Sequence, residues 1–369
     1  MYDYDVIIIG AGIAGTGLSY NLKREGYKGS ILIIDKKSPG SNAPFVYRNT
    51  FKEIIDEYKL TYEHKFDGAV IGIYGETNKL KENFFFIDYK KVCNFLLKNS
   101  DALFKKENAL EVKDKVLITD KNKYKFGYLI DCSGASFFLR RLYKLPLPFR
   151  YWIGNIKVLK NKVDIGNYFY FCVSRDKVNY LEDFYPTKDK VIHGDWVYEN
   201  KIDFNLIKVP KDTLYNKIIK NPKITKQEKA IIPSSPVLPL VIKNCAFLGD
   251  SFGNASSSVS EGIRPILDTS IILARAINKN NLKSYEKEWN KKNLNLYIKK
   301  LSLKLSSKLK VKLLHQIRKN PELLKKMMKN EDTKIPKNIK NKIPINLKLR
   351  VIMNYLFLAS KYKIMRLRY

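Results

Sequence analysis

Between Val6 and Asp35 the chain reads VIIIGAGIAGTGLSYNLKREGYKGSILIID: a β-branched apolar run, a glycine turn, a segment with helical apolar spacing, and a second apolar run that ends on an acid. Gly10-x-Gly12-x-x-Gly15 therefore follows a predicted strand and opens a predicted helix. In that setting Gly10 permits the sharp turn, Gly12 lets the backbone approach a pyrophosphate, and Gly15 lets the helix pack close on the strand. The free N–H groups of the helix N-terminus face the anion. Asp35 is placed to accept hydrogen bonds from ribose hydroxyls. Strand, turn, helix and strand in this order make a βαβ unit, the start of a parallel sheet.

The first unit suits NAD or FAD equally. A second glycine-acid segment, FLGDSFGNASSSVSEGIR at Phe247 to Arg264, favours FAD. The adenine half of FAD occupies the first unit, and its longer ribityl-flavin half needs a distant piece of chain. Gly249 and Asp250 are expected at the ribityl or pyrophosphate region. The helix beginning near Glu261-Gly262-Ile263 is expected to aim free N–H groups at the pyrimidine edge of the flavin, where reduction adds negative charge. The segment is small and polar because backbone must lie against a cofactor. No second GxGxxG is present for a nicotinamide nucleotide, so NAD(P)H is expected as a transient visitor, or a separate electron donor takes its place.

The predicted fold class is α/β: a Rossmann-like FAD-binding domain, an inserted antiparallel-sheet substrate domain and a basic helical C-terminal region. The FAD-binding domain is assigned to residues 1–145 and 231–282, the substrate domain to 146–230 with contributions from 40–80, and the helical region to 283–369. Asn49 to Lys59 has helical character, Phe84 to Ile87 reads as a short strand, and DYKKVCNFLLKN after it as a helix. Val112 to Lys125 suggests a hairpin, and Tyr128 to Ile130 a strand running into DCSGAS. Alternating aromatics in NYFYFCV and the extended VIHGDWVYE mark the inserted sheet. IIPSSPVLPLV, with three prolines, cannot be a regular central strand and should carry the chain back to the first domain. CAFLGD then supplies a last strand. The helical pattern beyond Leu282 breaks at Asn320-Pro321.

Charge is concentrated at the end. The formal net charge is +33, and Lys291 to Tyr369 holds 23 basic residues against three acidic ones. Such a tail seeks anionic surfaces. No recognition fold or zinc spacing points to specific nucleic acid, whereas Leu, Ile and Val interleaved with Lys resemble helices lying in a membrane interface. No run of 18 apolar residues occurs, so nothing in the sequence is expected to span a bilayer. YDYDVIIIGAGIAG begins almost at once, so no leader peptide is expected. Four scattered cysteines without CxxC, and three histidines, predict reduced thiols and no metal site. The expected location is cytoplasmic, with peripheral association on the cytoplasmic membrane face as a further expectation.

Three of these regions carry a family resemblance: YDVIIIGAGIAGTGLSYNL with Asp35, IDCSGAS with Arg140-Arg141 soon after, and FLGDSFGNASSSVSEGIR. Together they resemble the FAD-dependent oxidoreductases that include geranylgeranyl reductases, aromatic hydroxylases and flavin halogenases. EGIR and the basic helical C-terminus are most similar to archaeal geranylgeranyl reductases. The resemblance implies FAD as cofactor, with Gly10, Gly12, Gly15 and Asp35 at its ADP part, Gly249 and Asp250 at the pyrophosphate and ribityl chain, and Gly262 with Ile263 beside the flavin. Ile13, Ala14, Lys36 and Gly134 complete the candidate cofactor set. The chain departs from the family's PxxGEGI pattern at Ser257 and Ser260, and only fragments of its aromatic-Trp-Phe-Pro strand occur, at Tyr168 to Phe171 or Phe184-Tyr185-Pro186.

The reaction this implies is reduction of carbon-carbon double bonds in an isoprenoid or other apolar lipid. The alternatives are an FAD-dependent monooxygenase or halogenase on the same scaffold, and a noncatalytic flavin-binding or membrane scaffold protein. No catalytic residue is assigned. Cys132 is expected to be a small packed side chain, and His193 to be satisfied locally. Arg140 and Arg141 are candidates for a phosphate or acidic headgroup, or for the surface. Tyr151, Trp152, Tyr168 to Phe171, Trp196 and Tyr198 are expected to be mostly core, although alternation in a sheet above a flavin would turn about half of them toward a pocket.

Overall fold

The computed structural model describes residues 3–41, 48–50, 52–73, 76–174, 179–255, 261–295, 297–298 and 345–368. The break at Asn320-Pro321 and the positions of Ser257 and Ser260 lie outside them. Strand β1 (Tyr4–Ile9) is buried from Val6 onward and pairs in parallel with β2 (Ile31–Asp35). Each of those buried aliphatic side chains contributes roughly 1.5–3 kcal/mol through its removal from water. Between the two strands runs helix α1 (Ile13–Arg24), as the glycine turn predicts.

The chain then leaves this layer. Strand β3 (Arg48–Thr50), helix α2 (Lys52–Tyr58), and strands β4 (His64–Ile73) and β5 (Glu76–Ile87) follow. Phe84 to Ile87 is thus the end of a 12-residue strand rather than a short strand of its own. Helix α3 (Tyr89–Lys98) returns to the first layer, N-capped by Asp88, which accepts from the Lys91 N–H at 3.0 Å. Strands β6 (Leu103–Lys106), β7 (Ala109–Lys113), β8 (Val116–Thr119) and β9 (Lys123–Asp131) and helix α4 (Phe138–Leu142) come next.

The second layer is completed by β10 (Tyr151–Leu159), β11 (Tyr168–Val173), β12 (Tyr180–Pro186), β13 (Val191–Glu199), helix α5 (Leu214–Ile218) and β14 (Ile224–Pro233). Ile231 to Pro233 of the proline-rich segment close β14, an edge strand where proline is tolerated, and the rest, with Pro236 and Pro239, has no regular structure until the short β15 (Val241–Ile242). Strand β16 (Cys245–Phe247), α6 (Ile263–Asn278), α7 (Leu282–Trp289) and α8 (Ile345–Arg368) end the described chain.

Two sheets result. The first runs β15-β16-β9-β1-β2-β6, parallel except for β15, with β7 and β8 attached beside β9. The second runs β14-β10-β13-β12-β11-β4-β5-β3 and is antiparallel except for the β11–β4 pair. Helices α1 and α6 pack side by side, and Asn21 Nδ2 donates to Ser270 Oγ at 2.6 Å across that contact. At Gly17 a Cβ would come within 2.7 Å of Leu267 Cδ2, so the Leu267 side chain would have to shift. Among the described residues, no helix is long and apolar enough to cross a membrane.

Helix α7 fixes the returning segment. Tyr285 donates to the Phe247 carbonyl at 2.8 Å, and Glu286 accepts from the Leu240 N–H at 2.6 Å. Trp289, fully buried, stands edge-on to Phe252 and stacks on Tyr297. Trp289→Ala is expected to cost about 3–5 kcal/mol through the cavity it leaves. A urea titration checks this, and a midpoint equal to that of the wild type would contradict it.

Candidate functional site

The site lies where the ends of β1, β9 and β16 meet. Ile9 pairs with Asp131, and Phe247 pairs with Asp131 from the other side, so three chain reversals begin at one level of the sheet. At Gly10 φ is +110°, and a Cβ there would overlap the Cys132 carbonyl; at Gly15 it would overlap the Gly10 carbonyl. Only glycine lets these backbones close up. Gly249, at φ +76°, brings the second turn against the first: a Cβ would come 2.9 Å from the Ala14 Cβ. The two turns, 239 residues apart in sequence, are thus neighbours in space.

Asp35 is buried, and its carboxylate accepts from the Ala11 N–H at 2.8 Å and the Lys37 N–H at 2.9 Å. It braces the glycine turn from beneath. The Tyr89 hydroxyl accepts from the Ile13 N–H at 2.9 Å, so α3 places a polar group at the start of α1.

A cavity of about 720 Å³ opens over these turns. Gly10, Gly12, Ile13, Ala14, Asp35, Lys36, Gly134 and Asp250 all line it. Gly15 and Gly249 instead shape its floor, one beneath the Gly10 turn and the other against Ala14. Gly262 and Ile263 do not line it; Ile266, one helical turn on, does. The expected free N–H groups at the start of α6 are also taken. Glu261 accepts from Ile263 N at 2.9 Å and from Arg264 N at 3.3 Å, so the helix caps itself with its own carboxylate. A Cβ on Gly262 would meet only ordinary contacts at 3.7 Å, so no close approach requires glycine there.

Arg140 is neither a phosphate ligand nor a surface residue. Its buried guanidinium donates to the carbonyls of Ser251 (2.9 Å), Pro146 (3.0 Å), Val237 (2.8 Å) and Pro239 (2.9 Å), and lies over the Phe247 ring. It ties the Asp250 turn to the proline-rich segment. Arg141, by contrast, lines the cavity. Asp131 works beside Arg140, accepting from the Ser133 N–H and the Leu139 N–H, each at 2.9 Å. Burial pushes its carboxyl above the usual range, against the pull of those hydrogen bonds. Cys132 is buried with its thiol raised well above normal by desolvation, the environment of a packed side chain and not of a nucleophile.

The second sheet closes the cavity with Ile156, Trp196, Glu228, Ala230, Ile231 and Ile232. His193 points to the opposite face. Its Nε2 lies 2.9 Å from Glu182 Oε1, and Glu182 also accepts from Leu214 N and Tyr215 N at the start of α5. Of the aromatic residues singled out in the sequence, Trp196 alone lines the cavity; Trp152, Tyr198 and Phe169 pack in the core behind it. Sequence reasoning missed Tyr89, Lys37, Glu107 and Asn108 in the lining. For Tyr89 a signal existed, since DYKK starts a helix directly after a strand.

The cradle fits a long dinucleotide: two glycine turns in contact, side-chain-free where backbone must approach, with Asp35 and Asp250 both in its lining. Residues 4–148 match the family of pyridine nucleotide-disulphide oxidoreductases. The whole chain is similar to the flavin-dependent brominase Bmp2, at 15% identity and a TM-score of 0.69 over 92% of this chain and 97% of that one. The fold is that of the FAD-dependent oxidoreductases. A geranylgeranyl bacteriochlorophyll reductase-like protein from Thermoplasma acidophilum aligns at 14% identity and a TM-score of 0.67 over 98% of this chain and 99% of that one. PqsL of Pseudomonas aeruginosa, a probable FAD-dependent monooxygenase, aligns at 13% identity and a TM-score of 0.63, over 85% of this chain and 99% of that one. No curated protein matches. FAD is the cofactor that both the family match and the fold support, and an oxidoreductase is the enzyme class.

Gly249→Ala tests the contact of the two turns. The strained φ and the contact with Ala14 are expected to weaken FAD binding by about 10- to 100-fold, or about 1.4–2.8 kcal/mol. Flavin fluorescence titration measures this, and unchanged affinity would separate the second turn from the cofactor.

Proposed function

We propose that the protein reduces carbon-carbon double bonds of an isoprenoid or related apolar lipid. Reduced FAD supplies the hydride. The observation that carries this reading is the apolar part of the cavity wall opposite the glycine turns, where Ile156, Trp196, Ala230 and Ile232 present apolar surface from a rigid sheet beside Glu228 and Lys229. Such a wall suits an alkyl or prenyl chain, which gains from leaving water and needs no partner groups. The same wall excludes solvent from the reacting centre and limits wasteful reaction of the reduced cofactor with oxygen. Likeness of fold to a geranylgeranyl bacteriochlorophyll reductase-like protein supports the choice. Lys36, Lys37 and Arg141 at the mouth of the dinucleotide end would neutralise the cofactor phosphates. Electrons arrive from NAD(P)H or from a separate donor protein.

The second reading is an FAD-dependent monooxygenase or halogenase, favoured by likeness of fold to the brominase and to PqsL. The two readings part on oxygen. Anaerobically reduced holoenzyme mixed with polyprenyl lipids is expected to reoxidise at the flavin absorption band while the lipid gains one molecule of hydrogen per double bond. Reoxidation by oxygen alone, with a hydroxylated or halogenated product, would establish the rival.

A lipid substrate agrees with the build of α8. Its Leu358, Tyr362 and Met365 are buried in the core, and Tyr362 donates to the Pro236 carbonyl at 2.5 Å. On its other side Leu349, Ile352, Met353, Leu356 and Phe357 are exposed. In a region with 23 basic and three acidic residues, that face suits an anionic bilayer surface. Vesicles with anionic headgroups are expected to carry the protein in flotation at low salt, and Phe357→Glu with Met353→Glu to release it. Retention of the double variant on the vesicles would remove α8 from the contact.

A further inference from the structure

Behind the Trp196 of the cavity wall, and not itself in the lining, stands a buried carboxyl, Asp183; Glu228 is the carboxyl of this sheet that the lining includes. Asp183 pairs with Gly194 of β13, Gly194 with Ile156 of β10, and Ile156 with Glu228 of β14, so these four residues form one cross-strand row. Residues directly opposite each other point to the same face of a sheet. Ile156 and Glu228 of this row line the cavity, as does Trp196 two residues beyond Gly194. Asp183 thus stands on the face that looks toward the dinucleotide turns, while its neighbour Glu182 stands on the other.

Gly194 makes the arrangement possible. A Cβ at that position would overlap both Asp183 Oδ1 and the Trp196 indole nitrogen. With no side chain there, the carboxyl and the indole meet over bare backbone, and Trp196 Nε1 donates to Asp183 Oδ2 at 2.9 Å. The Tyr185 hydroxyl, on the same strand and face, lies 3.4 Å from that oxygen. Oδ1 is left toward Gly194. The carboxyl is therefore held by an indole that is itself part of the cavity wall.

We propose that Asp183 is the proton donor of the substrate site, delivering its proton to the substrate carbon that does not receive the hydride. This rests on the reductase reading above. The O–H bond of Asp183 breaks as a C–H bond forms at that carbon. The alkene gains a hydride from the reduced cofactor and a proton from Asp183, so it is reduced by two electrons and the dihydroflavin is oxidised by two. The carboxylate that remains takes a proton back from solvent between turnovers.

The protonation state is suited to this role. Burial raises the Asp183 carboxyl to about 7. Trp196, His193 and Tyr185 pull it down, and Asp195 adds to the rise. His193 and Asp195 act through the sheet from its other face, where Lys157 bonds Asp195 at 3.0 Å. Tyr198, Glu228 and Lys226 are the further titratable groups on the cavity-side face of β13 and β14. A donor whose affinity for a proton lies near the working pH is both loaded and able to give.

Asp183→Asn keeps an acceptor for the Trp196 indole and removes the proton. In the FAD-loaded variant, flavin affinity is expected to stay within about twofold of wild type, because Asp183 does not line the dinucleotide cradle. Anaerobic reoxidation by polyprenyl lipid is expected to slow by about 10²- to 10⁴-fold, the usual worth of a general acid. The wild-type rate should fall as pH rises through about 7, a limb absent from the variant, and Asp183→Glu should restore part of the rate. Infrared difference spectra of the resting holoenzyme, taken without substrate, should show a protonated carboxyl band that titrates near neutrality and disappears in Asp183→Asn. A variant with wild-type rate and pH profile, or a resting enzyme without that band, would overturn the assignment. If wild type is inert toward every polyprenyl lipid, the reductase reading fails instead, and the infrared band still decides whether Asp183 holds a proton.

Discussion

The structure depends on backbone meeting backbone at the top of the first sheet. Gly10, Cys132 and Gly249 lie where three parallel strands end side by side; a Cβ at Gly10 would overlap the Cys132 carbonyl, and one at Gly249 would press on the Ala14 Cβ. A dinucleotide lying across these ends needs main-chain atoms close on both sides, and only glycine allows that approach without strain. The rest of the scaffold holds the meeting in register. Asp131 supplies a backbone carbonyl to Ser251 at 2.7 Å and a carboxylate to the turn entering α4. Arg140 then spends its guanidinium on four carbonyls of segments that have no ladder partners. A buried cation is costly unless every donor is used, so Arg140 acts as a peg for irregular chain, and its loss would strand several acceptors together.

The first layer was legible because its signals are local and agree with one another. β-Branched runs, the glycine turn and the acid at Asp35 each predict the same βαβ unit, and Pro236 and Pro239 of IIPSSPVLPLV mark where the chain leaves the edge of the second sheet. The second layer was legible only as a class. Aromatic alternation shows that Tyr168 to Phe171 form a strand, but it does not say which neighbour lies beside it. The parallel β11–β4 pair joins residues about 100 apart, a register set by long-range packing that no short window contains.

Site residues divide along the same line. Glycines with positive φ announce themselves, because the turn chemistry is written in the residue. Gly262 looks alike in sequence and is not under the same demand. Whether Glu261 turns back on its own helix or leaves the N–H groups free depends on side-chain geometry that sequence spacing does not fix. Arg140 and Arg141 make the point most directly. Adjacent in sequence and chemically identical, they diverge because one turn of α4 points Arg140 into the crossing segment and Arg141 into the cavity.

Glu182 and Asp183 show how a sheet can put two neighbouring carboxyls to different uses. Alternation sends them to opposite faces, and each meets a different supply of donors. Glu182 receives two backbone N–H groups at the start of α5 and faces His193, enough to anchor the outer side of the sheet to the helix that covers it. Asp183 receives one indole N–H and a long contact from a phenol, in surroundings that are otherwise aromatic and aliphatic. For a carboxyl the balance between desolvation and donated hydrogen bonds sets the affinity for a proton. A largely apolar face therefore raises that affinity without any dedicated partner; under the lipid reading proposed above, the dryness that would favour an alkyl chain is also what keeps a proton on the acid beside it.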